Sequence, residues 1–140
     1  FQYTRARKPN RILYAVEPGG SYVWRKIRFD SRLVRPTEIT LGESEDVEYV
    51  DAEKVAGRLI LRNWKTGDYF FPLGMTSSKK LSDFFIDEKV PNPDKGTVPI
   101  LCEKFGKNEH VIWICGYRLD ERYKITPSTK QILKLECHWR

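Results

Sequence analysis

The sequence predicts an α+β fold, mostly β, with mixed or antiparallel strands packed around one short amphipathic helix at about residues 78–90. Three features carry this prediction. Residues 58–64 (RLILRNW) and 131–139 (QILKLECHW) alternate apolar and polar side chains with the period of two that a pleated strand imposes. Val111–Cys115 (VIWIC) is apolar at every position, as a strand buried on both faces requires. One segment, KKLSDFFIDEKV (79–90), places Leu81, Phe84 and Phe85 at helical spacing, so one face of it is greasy.

In chain order, Ile12–Val16 and Tyr22–Phe29 are β-like runs. The intervening Glu17-Pro18-Gly19-Gly20-Ser21 predicts a hairpin between them. Thr37–Asp46 is polar and acidic and reads as a connector. Val47–Val50 is a short strand, after which Asp51 is placed to cap a single helical turn. In Arg58–Trp64, Leu59 and Leu61 point one way, Arg58, Ile60 and Arg62 the other. Gly67-Asp68 turns the chain and Tyr69-Phe70-Phe71 resumes extended structure. Ser77 or Ser78 opens the helix, and Pro91 ends it because a following proline disfavours helical geometry at Val90. Asn92–Gly96 is a turn-rich loop. Val98–Cys102 is a strand with Pro99 near its start. Phe105–Glu109 turns into the buried VIWIC strand. In the last strand Leu133, Leu135, Cys137 and Trp139 face inward, Lys134, Glu136 and His138 outward.

Bulk properties bound the function. The chain has 140 residues, 40% hydrophobic and 13% aromatic, enough for a real core. No apolar run approaches the roughly 20 residues of a membrane span, so no membrane partner is expected. The chain starts at Phe1 without a signal-peptide pattern and reads as a piece of a longer protein. The net charge of +6 is unevenly placed: +7 over residues 1–36, −6 over 37–54 and +5 over 55–140. We therefore divide the chain into a basic hairpin plus acidic connector, 1–48, belonging to an upstream domain or linker, and a principal domain, 49–140. The basic balance favours a polyanionic partner. Cys102, Cys115 and Cys137 are an odd, widely spaced set, read as small buried hydrophobes of a cytoplasmic protein. With His110 and His138 they form no CxxC, HxxxH or HExxH spacing, so no metal site is expected.

The candidate chemistry lies around the helix. Lys79 and Lys80 fall in its predicted first turn, where two ammonium groups oppose the helix dipole unless an anion sits beside them. Phosphate is one reading; a solvated face with Lys79–Asp83 or Lys80–Asp83 pairs is the other. Gly74 and Thr76-Ser77-Ser78 make a compact lead-in where backbone can approach a ligand. Arg118, Arg122 and Lys124, interleaved with Asp120 and Glu121, form either a polar turn or a second set of phosphate contacts, with Tyr117 or Tyr123 available to stack. Trp64 and Trp113 read as core. GxxxxGK[ST] and GxGxxG are both missing, so no ATP site is expected here. No convergent acid–base or nucleophile set appears, so no catalytic residue is assigned.

From Tyr49 to Glu136 the chain resembles the C-terminal, substrate tRNA-binding domain of tRNA(Ile)-lysidine synthetase. The matching pieces are YVDAEKV (49–55), LRNWKTGDYFFPLGM (61–75), KKLSDFFIDEKVP (79–91), PILC (99–102), VIWICGYRLDERYKIT (111–126) and TKQILKLE (129–136). Residues 1–48 match nothing as firmly. The resemblance implies a parent ligase that uses ATP, with Mg, to join lysine to the wobble cytidine of an isoleucine tRNA. The Ser-Gly-Gly-x-Asp-Ser loop of its catalytic domain is not in this chain; Pro18-Gly19-Gly20-Ser21 lacks the Asp-Ser. Catalysis is thus implied for the parent, and for this chain a grip on the tRNA body around the acceptor stem. By family position, Arg62, Lys79, Lys80, Lys89 and Arg118 are candidate phosphate or ribose contacts, joined by Arg122 and Lys124 from the reading above. Gly67, Pro72 and Gly74 shape loops, and Asp68 and Asp83 orient basic neighbours. The expected partners are tRNA and the enzyme's own N-terminal catalytic domain. The alternative is a protein–protein docking or dimerisation module, with Tyr69, Phe70, Phe71 or Trp139 as anchors. The tRNA reading expects the cations on one side of a stiff scaffold, free of carboxylates.

Overall fold

The computed structural model describes residues 12–24, 26–40, 42, 44–91 and 97–139. The basic positions Arg5, Arg7, Lys8 and Arg11 and the predicted loop 92–96 lie outside the described residues. Among the described residues, eleven strands and one α-helix follow in the order β1 (Leu13–Val16), β2 (Ser21–Trp24), β3 (Ile27–Val34), β4 (Val47–Asp51), β5 (Arg58–Arg62), β6 (Tyr69–Phe70), β7 (Lys79–Lys80), α1 (Leu81–Asp87), β8 (Ile100–Phe105), β9 (Asn108–Ile114), β10 (Arg118–Leu119) and β11 (Ile132–Trp139).

The strands make a five-stranded sheet, β1-β5-β8-β9-β10, a four-stranded sheet, β2-β3-β11-β4, and the two-stranded ribbon β6-β7, all antiparallel. The two larger sheets face each other across a core that includes Phe29, Val50, Leu59, Leu61, Leu101, Trp113, Leu133 and Leu135. The opposite face of the five-stranded sheet is covered by α1 and Phe70, through Ile60, Ile100, Cys102, Val111 and Ile114. The fold is thus mostly β with antiparallel strands and one short helix, as predicted, and the helix covers one face of the five-stranded sheet. Burial on both faces accounts for the unbroken apolar run of β9 and for the opposed sides of β5, where Leu59 and Leu61 enter one core and Ile60 the other. Each fully buried aromatic here, such as Phe29, Phe70 or Phe85, stabilises the fold by about 1.5–3 kcal/mol.

Several sequence expectations are corrected. The Glu17–Ser21 turn does not close a hairpin. It carries the chain from one sheet to the other, held to β3 by Gly19 N–H donating to the Ser31 carbonyl (2.7 Å) and Ser31 N–H to that of Gly20 (3.2 Å). β1 instead pairs with β5, and the run 22–29 folds on itself as β2 and β3, with Trp24 opposite Ile27. β3 then pairs with β11 over eight residues, from Val34↔Ile132 to Ile27↔Trp139. Strands before residue 48 take part in both larger sheets, β1 pairing with β5 and β3 with β11. Phe105–Glu109 is mostly strand, turning only at Gly106-Lys107. Trp139 is exposed, sending its indole N–H to Asp46 (3.1 Å). Cys102, Cys115 and Cys137 are buried free thiols, and burial pushes Cys102 up to about 12.

The helix is shorter than predicted. Lys79 and Lys80 are not in its first turn: they are extended and pair with Phe70 and Tyr69. Lys80 is the N-cap at φ −69°, ψ 141°, and Leu81 N–H donates outside the helix to the Asp68 carbonyl (3.0 Å). The argument from unpaired helix N–H groups therefore does not apply to them. At the other end Val90 N–H reaches Phe85 O (2.9 Å) and Lys89 N–H reaches Ile86 O (3.0 Å), a Schellman closure. Its left-handed position is filled by Lys89 at φ 57°. A side chain there costs roughly 1–2 kcal/mol that glycine avoids. Lys89→Gly is therefore expected to raise the unfolding free energy by about 1 kcal/mol, measured by urea denaturation.

Candidate nucleic-acid interface

The interface region starts where β5 ends. Arg62 falls on the face of β5 that the helix layer covers, so its guanidinium must find partners inside the protein. It donates from Nη1 and Nη2 to Asp68 (2.9 and 3.0 Å), from Nε to Glu109 (2.8 Å) and from Nη1 to the Asn63 carbonyl (2.8 Å). Only 6% of its side chain is exposed, and these partners raise its pKa further above the ordinary arginine value despite desolvation. The turn it anchors has Gly67 at φ 95°, with Asp68 also accepting from Lys65 N–H (2.6 Å). Arg62, expected as a phosphate contact, is thus committed to carboxylates within the protein, and Asp68, expected beside a basic neighbour, is hydrogen-bonded to Arg62.

Beyond the turn, β6 runs into a Pro-Leu-Gly loop that is fastened to residues 118–124. Asp120 is the fastener. Fully buried, its carboxylate accepts from Phe71 N–H (2.9 Å), Arg122 N–H (2.8 Å), Arg122 Nε (3.0 Å) and Arg122 Nη2 (2.9 Å). Arg122 is thereby laid over the Phe71 ring, 4.7 Å from its centroid. Pro72 bridges to Asp120, and Gly74, at φ 88°, donates its N–H to Glu121 (2.8 Å). Arg118 Nη2 donates to the Leu73 carbonyl (2.6 Å). Lys124 pairs with Glu121 at 2.5 Å. Lys79 pairs with Asp87, not with Asp83, because it precedes the helix and reaches along it. Asp83 is exposed and, among the described residues, has no ion-pair partner, so it orients neither lysine.

The structure therefore brings most of the predicted residues together. β7, the 71–75 loop, Arg118, Arg122 and Lys124 are contiguous through the contacts above, and Tyr117, next to Arg118, packs edge-on against Phe84 and Phe85 of α1 at 6.4 and 6.5 Å. Against the expectation of cations free of carboxylates, four of the seven candidates are paired with them. Arg62, Lys79, Arg122 and Lys124 are paired with carboxylates, whereas Lys80 and Lys89 are exposed with no carboxylate partner among the described residues. The pairs differ in kind. Lys79–Asp87 is 30% and 58% exposed, a pair worth about 0–1 kcal/mol that a phosphate can displace. Releasing Arg62 would take the guanidinium from both Asp68 and Glu109, leaving Glu109 only a longer, exposed pair with Lys65 (3.8 Å).

Asp120 was not singled out from sequence as an interface residue, and Tyr69 and Phe71 entered only as anchors of the alternative protein-docking reading. The Asp120-Glu121-Arg122 order carried a usable signal, since an aspartate two residues before its partner amide is the pattern of a capping turn, here a single 3-10 turn over Glu121–Tyr123. No cluster of three or more His, Cys, Asp or Glu able to hold a metal occurs among the described residues.

Fold and surface together define a β-rich module that presents lysines and an aromatic ledge. A family model described as "TilS substrate C-terminal domain" matches residues 59–139. The tRNA(Ile)-lysidine synthase of Clostridium tetani is 44% identical over 96 residues, 69% of this chain and 20% of that protein, and that of Caldanaerobacter subterraneus is 35% identical over 95 residues, 68% and 20%. A crystal structure of a TilS C-terminal domain superposes at TM-score 0.79 with 17% identity, covering 92% of this chain and 97% of that one. An N-terminal fragment of the phenylalanyl-tRNA synthetase β-subunit from Pyrococcus horikoshii superposes at 0.56 with 18% identity, over 67% of this chain and 28% of that one; these two likenesses are of fold. The chain belongs to the TilS substrate C-terminal domain family. It spans about a fifth of the length of the curated relatives.

Two outcomes follow from the geometry. Arg62→Ala is expected to destabilise the domain by about 3–5 kcal/mol in urea unfolding, because two carboxylates lose their buried partner. Lys124 and the Gly74 amide hold the Glu121 carboxyl below its ordinary range. A depressed folded-state pKa contributes stability above the unfolded value, about 4.3, that is lost as pH falls through the folded one. The Gly74 amide resonance should therefore titrate with a midpoint below about 4.3 in NMR; a midpoint at or above that value means the contact is absent.

Proposed function

We propose that this chain is the tRNA-binding C-terminal unit of a cytoplasmic tRNA(Ile)-lysidine synthase, and that it grips the tRNA body at the acceptor stem. The remainder of the enzyme carries the ATP- and Mg-dependent joining of lysine to the wobble cytidine. Family membership carries this reading, supported by the placement of lysines around the β7–α1 corner. A-form stems offer phosphates and 2′-hydroxyls more than base edges, and a stiff cationic surface suits that target. The contact set is narrower than the sequence suggested: Lys80, Lys89 and Arg118 first, with Lys79 and Lys124 available once their surface pairs yield.

A second reading, docking on the catalytic domain or dimerisation, is favoured by a groove of about 700 Å³ beside the helix layer. Leu13, Ala15, Ile60 and Trp64 line it, between Arg58, Lys65 and Lys104.

Salt titration of tRNA binding tests the first reading. Lys80→Ala and Lys89→Ala should each weaken binding and flatten the dependence of log K on log salt by about 0.7–0.9, one phosphate's worth of counterions. An unchanged slope removes that lysine from the interface. A chain that ignores tRNA but self-associates independently of salt, by light scattering, supports the second reading.

A further inference from the structure

Arg122 is built in a way that phosphate binding does not require. Its Nε and Nη2 are both spent on Asp120, which is fully buried. The carboxylate compensates the arginine's charge and fixes its plane. Such a cation, its charge compensated and its Nε–Nη2 edge occupied, offers a phosphate less than a free guanidinium does. What remains is a flat, immobilised guanidinium on the Phe71 ring, with 31% of its side chain exposed.

Its surroundings extend that surface. Tyr69, half exposed, stands edge-on to Phe71 with centroids 6.2 Å apart and planes at 73°. Leu73 and Met75 are exposed on the adjoining loop. That loop is already ordered by the Arg118–Leu73 and Gly74–Glu121 hydrogen bonds, so a ligand landing on it need not order it. Lys80 is the cross-strand neighbour of Tyr69 and has no carboxylate partner among the described residues. An apolar and aromatic ledge with a free lysine at its edge suits a flat heterocycle attached to a phosphate.

We propose that the Tyr69–Phe71–Arg122 ledge is a stacking site for an unpaired nucleobase at the end of the stem that the lysines hold. The proposal rests on the tRNA-binding reading and adds a base-stacking contact to a backbone grip. Unstacked bases are received on aromatic rings and guanidinium planes, and such stacking tolerates any base because each has a π face. The contact is neutral overall, so it contributes affinity without contributing to the salt dependence.

The test uses the 140-residue chain and two tRNA transcripts. One carries 2-aminopurine among its unpaired 3′ nucleotides; the other ends at the last base pair of the stem. Binding of the first should quench the 2-aminopurine. Tyr69→Ala should abolish the quenching and weaken binding about tenfold while leaving the salt slope unchanged. Because Tyr69 is half exposed and makes no bond to Asp120, this variant is independent of the structural role of Arg122; Arg122→Lys should act in the same direction. The truncated tRNA should bind the parent chain about tenfold more weakly and should not respond to Tyr69→Ala. If Tyr69→Ala binds the full tRNA as tightly as the parent, the stacking site is overturned while the tRNA-binding reading stands. If both tRNAs weaken equally, the ledge is no base site. Loss of self-association with tRNA affinity intact assigns the ledge to a protein contact and overturns the proposal. A chain that binds neither tRNA overturns both readings.

Discussion

A sheet covered on both faces has little room for an unpaired charge, and that constraint organises this molecule. Among the described residues, Arg62, Glu103 and Asp120 are charged side chains buried in or beside the five-stranded sheet, and each is satisfied by groups from a different loop. Arg62 draws in Asp68 and Glu109, fixing the 63–68 turn. Glu103 accepts from the Ala56 and Gly57 amides (2.7 and 2.8 Å) and from the Tyr123 hydroxyl, tying the loop before β5 to the turn before Lys124. Asp120 draws in Phe71 and Arg122 and so fixes the Pro-Leu-Gly loop. A buried charge left without its partners costs several kcal/mol, so each group enforces one arrangement of its loop. Their value lies less in net stability than in making the loops of the proposed interface single-valued.

That logic separates the cations into two populations that look alike in a sequence. Arg62 and Arg122 are held by carboxylates that are themselves largely buried, and their geometry is part of the fold. Lys79 and Lys124 lie in exposed pairs, where solvent screening leaves little energy to overcome when a stronger anion arrives. Lys80 and Lys89 flank α1 outside any such pair among the described residues. A rigid frame with loosely committed lysines at its edge is a reasonable construction for a backbone-reading surface, since the frame sets the spacing and the flexible ammonium groups adapt to the phosphates.

The parts legible in the sequence were those governed by short-range pattern. Alternation revealed β5 and β11, an unbroken apolar run revealed β9, and helical spacing revealed the Leu81, Phe84 and Phe85 face. The parts that were not legible depend on long-range pairing. Glu17-Pro18-Gly19-Gly20-Ser21 has hairpin chemistry, yet the free edge of β5 claims β1 first. Lys79-Lys80 precedes a helical pattern without interruption, but its backbone pairs with Tyr69-Phe70, and no local signal distinguishes an N-cap from a first turn here. Arg62 shows the limit for site prediction. An arginine at a strand end reads as a surface cation until the helix layer that covers it, and the Glu109 that meets it 47 residues later, are both in place.

Division of labour within the proposed enzyme follows from the same features. The chain spans about a fifth of the length of its relatives. On the proposed reading, the domain's contribution to ligation is binding energy realised far from the reacting cytidine. Such energy raises the chemical rate only if it is spent on holding the substrate in its reactive orientation. A mobile cationic tail would supply affinity but could not transmit orientation. Loops fixed by Arg62, Glu103 and Asp120 can, because a tRNA gripped on them has one allowed pose relative to the sheet. The buried charges that narrow the fold's conformational freedom are, on this view, what makes remote binding useful to the chemistry.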